Sequence, residues 1–82
     1  MSKLEKLWQK IKNNPKQVRF EELDKLLVKA GFERRQPRRG SSHYVYRKAG
    51  SKPVTVPYRQ PHILSVYVEE AIKVLEGEFE DE

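Results

Sequence analysis

The chain contains no cysteine, and this absence removes a whole group of functional sites. Disulfide bonds, thiolate metal sites and cysteine nucleophiles are all excluded. The two histidines, His43 and His62, are scattered in the sequence and form no metal-ligand constellation, so we expect no metal and no other cofactor. The sequence also lacks a glycine-rich loop of the nucleotide-binding kind.

Long apolar runs are also missing. No stretch approaches the roughly 20 apolar residues that a membrane-spanning helix needs. The charged N-terminus likewise has no apolar core of signal-peptide length. We therefore expect a cytoplasmic protein without a membrane segment. Its 82 residues support a single domain with a modest hydrophobic core.

Positive charge is concentrated in the middle of the chain. The net charge is +5, and residues 33–59 contain eight Lys and Arg side chains against one acid, Glu33. A local positive field of this kind favours a polyanion such as nucleic acid, although a solvated surface that aids solubility is the alternative. Five carboxylates lie in residues 76–82, and we expect residues 77–82 to form a mobile acidic tail.

Helical periodicity appears at both ends of the sequence. Apolar residues at helical spacing predict a first helix over residues 2–13, with a capping box at Ser2 and a stop at Asn13-Asn14-Pro15. A second helix begins near Phe20 and ends before Gly31, which suits the left-handed position after a helix. A last helix runs from about residue 65 to residue 76, where Gly77 is expected to end it.

Between these helices the pattern changes to that of strands. Residues 32–36, 43–47 and 53–58 are three extended segments separated by turn-forming residues. Alternation along the second strand places His43 and Arg47 on one face and Tyr44 and Tyr46 on the other. The order α-α-β-β-β-α predicts an α+β domain over residues 1–76, with 1–14 as an additional N-terminal helix. Helices cover one face of a three-stranded antiparallel sheet and leave the other open.

The most informative segment is Arg38-Arg39-Gly40-Ser41-Ser42-His43. It places a histidine directly after a Gly-Ser turn, at the start of a strand and close to several arginines. The backbone N–H groups of the turn are suited to holding a phosphate, but the same residues also suit a simple turn. A lone histidine at the start of a strand is more often structural or merely exposed, so the residues alone leave both interpretations open.

This motif occurs in order with Phe20-Glu21-Glu22-Leu23, Ala30-Gly31-Phe32 and Val54-Thr55-Val56-Pro57. The combination resembles the HicA (YcfA-like) toxins of bacterial and archaeal type II toxin–antitoxin systems, from about residue 20 to residue 75. The resemblance implies a fold similar to the double-stranded RNA-binding domain. It also implies metal-independent cleavage of mRNA and neutralisation by a HicB-type antitoxin. The catalytic histidine of the family maps onto His43.

The chemistry of RNA cleavage suits a histidine. The 2′-hydroxyl attacks the adjacent phosphate once a base removes its proton, and imidazole is partly neutral near pH 7. We expect His43 to be this base or, alternatively, the acid that protonates the leaving oxygen. His62 and Tyr46 are candidates for the second group. The expected RNA-binding residues are Arg38, Arg39, Gly40, Ser41, Ser42, Arg47, Lys48 and Arg59.

Two other functions remain compatible with the same sequence. One is a non-catalytic RNA-binding module that uses the basic sheet and loop. The other is a protein-interaction module whose basic face binds an acidic partner. Cleavage of RNA distinguishes a nuclease from the non-catalytic RNA-binding module. For the protein-interaction module, RNA should fail to compete with the partner, and RNA binding should show no steep salt dependence.

Overall fold

A computed structural model describes residues 3–36, 39 and 42–79 of the chain. It has the element order α-α-β-β-β-α, which confirms the predicted α+β class. The helices are α1 (Lys3–Asn13), α2 (Phe20–Lys29) and α3 (Ser65–Phe79), and the strands are β1 (Glu33–Arg35), β2 (His43–Arg47) and β3 (Val54–Pro57). Among the described residues, no helix is long and apolar enough to cross a membrane.

The first two helices end where the sequence indicates. α1 stops at Asn13 and is followed by a single 3-10 turn over Pro15–Gln17, which the sequence analysis did not predict. α2 ends at Lys29, and Gly31 follows two residues later with a φ of +103°, which is accessible to glycine without a steric penalty. The N–H of Gly31 binds the Val28 carbonyl and the N–H of Phe32 binds the Leu27 carbonyl, each at 3.0 Å. These two bonds form a Schellman motif. The predicted cap at Ser2 lies outside the described residues.

α3 is longer than the sequence predicted. The prediction that Gly77 ends this helix is wrong, because the helix continues through Gly77 to Phe79. Gly77 does not take the positive φ that Gly31 and Gly50 have, so helical hydrogen bonding continues across it. A glycine inside a helix costs only about 1 kcal/mol relative to alanine. The rest of the predicted acidic tail, residues 80–82, lies outside the described residues.

The sheet is an antiparallel meander with the order β1-β2-β3. Helices pack on one face, with α3 against β3 and α1 against α2. Trp8 and Ile11 of α1 are buried, so the additional N-terminal helix is part of the single core. The rings of Trp8 and Phe20 are buried and pack inside the domain. The buried core consists of Trp8, Ile11, Val18, Phe20, Leu23, Leu26, Leu27, Phe32, Tyr46, Val54, Val56, Ile63, Val68, Ala71 and Leu75.

Candidate functional site

His43 is the first residue of β2, the central strand, and its side chain is exposed. Its Cα pairs with that of Pro57 on β3. The alternation expected from the sequence is observed, since Tyr46 is fully buried on the helix side while His43 and Arg47 are exposed. A shift of one residue in the strand register would bury His43 instead, so packing of Tyr46 holds the imidazole on the other side of the sheet.

The side of the sheet away from the helices is called the open face here. Residues opposite one another in paired strands share a face, so the register places Glu33 beside Arg47, Arg35 beside Val45, and Thr55 beside Val45. The open face therefore consists of Glu33, Arg35, His43, Val45, Arg47, Thr55 and Pro57.

Two arginines lie on the open face at different distances from His43. Arg35 pairs with Val45, so it is a diagonal neighbour of His43, roughly 7–8 Å away between backbones. Arg47 is four residues along the same strand, which corresponds to about 13 Å. Arg35 is therefore the closer of the two cations. It also forms an ion pair with the carboxylate of Glu33, at 3.2 Å between Nη2 and Oε1.

Arg35 is not among the site residues that the sequence predicts. Its side chain faces the open face only because β1 pairs with β2 in this register, whereas its neighbour Arg34 faces the helices and binds Asp24. All three residues of β1 are exposed, so the strand has no alternation of buried and exposed side chains. Its own sequence therefore does not indicate how it pairs with β2.

The turn before β2 is described only in part. Arg39 is exposed, while Arg38, Gly40 and Ser41 lie outside the described residues. Ser42 is exposed, and its carbonyl oxygen accepts a hydrogen bond of 2.8 Å from the N–H of Tyr58. This bond continues the pairing of β2 and β3 by one residue, so Ser42 is held directly beside His43. The phosphate-binding role of the turn stays a prediction.

The structure does not bring Lys48 and Arg59 to the open face. Lys48 is half-buried, and its Nζ donates a 2.8 Å hydrogen bond to the Ala30 carbonyl at the end of α2. Arg59 is exposed and follows β3, where it lines a pocket of about 250 Å³ together with Arg19 and Tyr58. Their roles in RNA binding stay predictions, and Lys48 has a structural contact as well.

The two candidates for a second proton-transfer group lie in different environments. Tyr46 is fully buried, and its hydroxyl donates a 2.7 Å hydrogen bond to Oδ1 of Asp24. Burial and the neighbouring Asp24 carboxylate raise the pKa of Tyr46. This phenol cannot reach a substrate on the open face, so the suggestion that it transfers a proton is wrong. His62 is half-buried in the loop before α3, beside Lys16 and Arg59.

The site contains ordinary ionisable side chains and no metal-binding arrangement within the described part of the chain. No group of three His, Asp or Glu side chains there is placed to hold a metal ion. What the open face offers is an exposed imidazole, guanidinium groups from two strands, and the hydroxyl of Thr55. Such a surface is suited to holding an anionic chain next to a group that can accept or donate a proton.

Comparison with known proteins gives one result. Residues 20–76 match the sequence model of the HicA toxin of bacterial toxin–antitoxin systems. No curated protein and no solved structure matches the chain. The matched segment covers more than half of the chain and includes α2, all three strands and most of α3. The chain therefore belongs to the HicA toxin family of toxin–antitoxin systems, whose members are in general ribonucleases.

Proposed function

We propose that this HicA-family toxin is a metal-independent endoribonuclease that cleaves mRNA and uses His43 as its general base or acid. The observation that carries the proposal is the position of His43. It is exposed at the start of the central strand, and Arg35 of the neighbouring strand is its diagonal neighbour on the same face. A ribose-phosphate chain on the open face would bring its 2′-hydroxyl and phosphate to these two groups.

The proposed reaction uses the nucleophile of the RNA itself. His43 accepts the proton of the 2′-hydroxyl, whose oxygen bonds to the adjacent phosphorus while the bond from phosphorus to the 5′-oxygen breaks. The products are a 2′,3′-cyclic phosphate and a 5′-hydroxyl, whose proton comes from water or a second group. Guanidinium groups, with Arg35 and Arg39 the candidates, stabilise the negative charge that builds up on the phosphorane. Roles for Arg38, Gly40, Ser41, Ser42 and Arg47 in holding the RNA belong to the same proposal.

Cleavage of single-stranded RNA in the presence of EDTA tests the proposal directly. Wild-type protein should produce fragments with 2′,3′-cyclic phosphate ends, and His43→Ala should still bind RNA but lose cleavage by roughly a hundredfold or more. His62→Ala removes the other imidazole of the chain. A much smaller loss for this variant assigns the main proton transfer to His43, and a comparable loss makes His62 the second proton-transfer group. Binding without cleavage by the wild-type protein would instead support a non-catalytic RNA-binding module.

We also propose that a HicB-type antitoxin neutralises the toxin by covering the open face. The excess of positive charge between residues 33 and 59 is complementary to an acidic partner. A stoichiometric complex should form in the native host, and RNA should compete with the partner. If RNA fails to compete, and RNA binding shows no steep salt dependence, the basic face serves a protein partner only.

A further inference from the structure

A shallow pocket of about 250 Å³ lies beside the C-terminal end of β3. Two cations, Arg19 and Arg59, line it together with the rings of Phe20 and Tyr58. Arg19 immediately precedes α2 and so lies before the segment 20–76 that matches the HicA family. The N-terminal part of the chain thus contributes a charged side chain to this pocket. The full described lining is Arg19, Phe20, Glu21, Tyr58, Arg59, Gln60 and Pro61.

The ring of Tyr58 is held in place and is still partly exposed. Its centroid lies 5.0 Å from that of Phe20 in an edge-to-face arrangement, and its hydroxyl accepts a 2.8 Å hydrogen bond from Nε2 of Gln60. Even so, 40% of Tyr58 is accessible to solvent. A fixed aromatic ring with accessible surface provides what a stacked nucleic-acid base needs.

The charges of the pocket fit a whole nucleotide better than a free phosphate. Arg19 and Arg59 are suited to the phosphates of an RNA backbone. Glu21 adds a carboxylate to the same lining, and a carboxylate repels phosphate but accepts hydrogen bonds from the N–H groups of a base. A ligand with both a phosphate and a base satisfies all of these groups.

The pocket is close to His43 along the sheet. The N–H of Tyr58 donates to the carbonyl of Ser42, and the preceding Pro57 pairs with His43. Tyr58 and His43 therefore lie at the same end of the sheet, on opposite faces. An RNA strand that passes over the end of β3 can place one phosphate at His43 and a neighbouring base at Tyr58.

We infer that this pocket is an RNA subsite, in which Tyr58 stacks on the base of a nucleotide next to the cleaved phosphodiester and Arg19 and Arg59 bind its phosphates. The inference rests on the proposed ribonuclease function and extends the RNA-binding surface to a residue outside the family match.

Base stacking can be tested with substrates that lack one base. The His43→Ala protein binds a short single-stranded RNA, and a series of RNAs replaces one nucleotide at a time with an abasic ribose. Loss of the base that contacts Tyr58 should weaken binding by roughly tenfold. The double variant with His43→Ala and Tyr58→Ala should bind this abasic RNA and the intact RNA with equal affinity. Tyr58→Phe keeps the ring and should keep the effect.

The arginines are tested through the salt dependence of binding. In a plot of log K against log salt concentration, Arg19→Ala and Arg59→Ala should each make the negative slope less steep by about 0.7. This is the value for one contact to single-stranded nucleic acid. Lys29→Ala is the matched control, because it removes an exposed cation at the other end of α2. Its slope should equal that of the parent protein.

The outcomes separate the subsite from the nuclease. If no abasic RNA binds more weakly than the intact RNA, the subsite is overturned, while cleavage by the wild-type protein would still support the nuclease. Thermal unfolding checks that the Tyr58→Ala protein is folded. An abasic effect that depends on Tyr58, together with RNA that the wild-type protein leaves uncleaved, would support the subsite and reject the nuclease. If Tyr58→Ala weakens binding of the antitoxin but leaves every RNA affinity unchanged, the pocket binds protein and the inference is wrong.

Discussion

The hydroxyl of Tyr46, on the central strand, donates a 2.7 Å hydrogen bond to Oδ1 of Asp24 on α2. The same oxygen accepts a 3.0 Å hydrogen bond from Nη1 of Arg34 on β1. One carboxylate therefore connects α2 with two strands of the sheet. Because Tyr46 lies on the helix side of β2, this contact also helps to keep His43 on the open face.

Removal of the Tyr46 hydroxyl should destabilise the protein. Tyr46→Phe leaves Asp24 with Arg34 as a partner, so we expect the free energy of unfolding to fall by about 1.5–3 kcal/mol, the typical contribution of a hydrogen bond to a charged group. Chemical denaturation near neutral pH measures this loss. An unchanged denaturation midpoint would show that the bond contributes nothing to stability.

The same tyrosine should make stability sensitive to alkaline pH. Burial first, and the Asp24 carboxylate second, raise the pKa of Tyr46 above its ordinary value of 10.0. Above that pH the unfolded chain loses the phenolic proton while the folded protein keeps it, so the free energy of unfolding falls as pH rises. Tyr46→Phe should lack this component. If plots of the free energy of unfolding against pH stay parallel for the two proteins above pH 10.0, the pKa of Tyr46 is not the cause of the alkaline loss of stability.

Glu22 should stabilise the start of α2 and its contact with α1. Its carboxylate accepts a 3.0 Å hydrogen bond from the N–H of Arg19 and forms an ion pair with Lys10. Burial acts to raise the pKa of Glu22, but the Arg19 N–H and Lys10 outweigh it and lower the pKa below 4.5. The resulting stabilisation is present above that value and is lost as pH falls below it.

Glu22→Gln measures this contribution. The free energy of unfolding at neutral pH should fall by roughly 0.5–1 kcal/mol, as expected for a helix-start contact with an exposed lysine partner. Glu5→Gln on α1 is a comparison variant of the same chemistry. If acidification lowers the free energy of unfolding equally in the wild type and in Glu22→Gln, Glu22 does not cause this loss of stability.

Local patterns account for most of the fold and for the exposed position of His43 at the start of β2. The bounds of β2 follow from its β-branched and aromatic residues between turn-forming segments, and the end of α2 follows from Gly31, since both signals act within a few residues. Gly77 misled the prediction because a glycine ends a helix only where its φ turns positive, and that depends on the surrounding contacts. The importance of Arg35 depends on strand register, and the pocket of Arg19 and Tyr58 depends on tertiary packing, neither of which the local sequence encodes.

The glycine that follows α2, Gly31, should tolerate no side chain without cost. At Gly31 the φ of +103° disfavours any other residue, and an added Cβ would lie 3.3 Å from Cε of Lys48. Gly31→Ala should lower the free energy of unfolding by about 1–2 kcal/mol. Gly77→Ala is the matched comparison with the opposite sign, because a Cβ there meets nothing within 4 Å and the residue is helical. It should raise stability by up to about 1 kcal/mol, or less near the helix end.

The two open-face arginines should affect RNA cleavage differently. Arg35 is the diagonal neighbour of His43, so Arg35→Ala should lower kcat by roughly tenfold or more through lost stabilisation of the phosphorane. Arg47 lies farther along β2, so Arg47→Ala should mainly raise KM and reduce the salt dependence of binding. Steady-state kinetics at two salt concentrations separate these effects. Equal changes in kcat would show that proximity to His43 does not matter.

Glu33 is the acidic member of the open face, and its ion pair with Arg35 should weaken RNA binding. The side chains are 71% and 62% exposed, so the pair contributes little to stability, and Glu33→Gln should leave the unfolding midpoint unchanged. The substitution frees the guanidinium for phosphate and removes a repelling charge, so RNA affinity should rise several-fold at low salt and less at high salt. Glu69→Gln removes an exposed carboxylate from α3, away from the open face. An equal rise in affinity for both variants would attribute the gain to net charge and not to the pairing of Glu33 with Arg35.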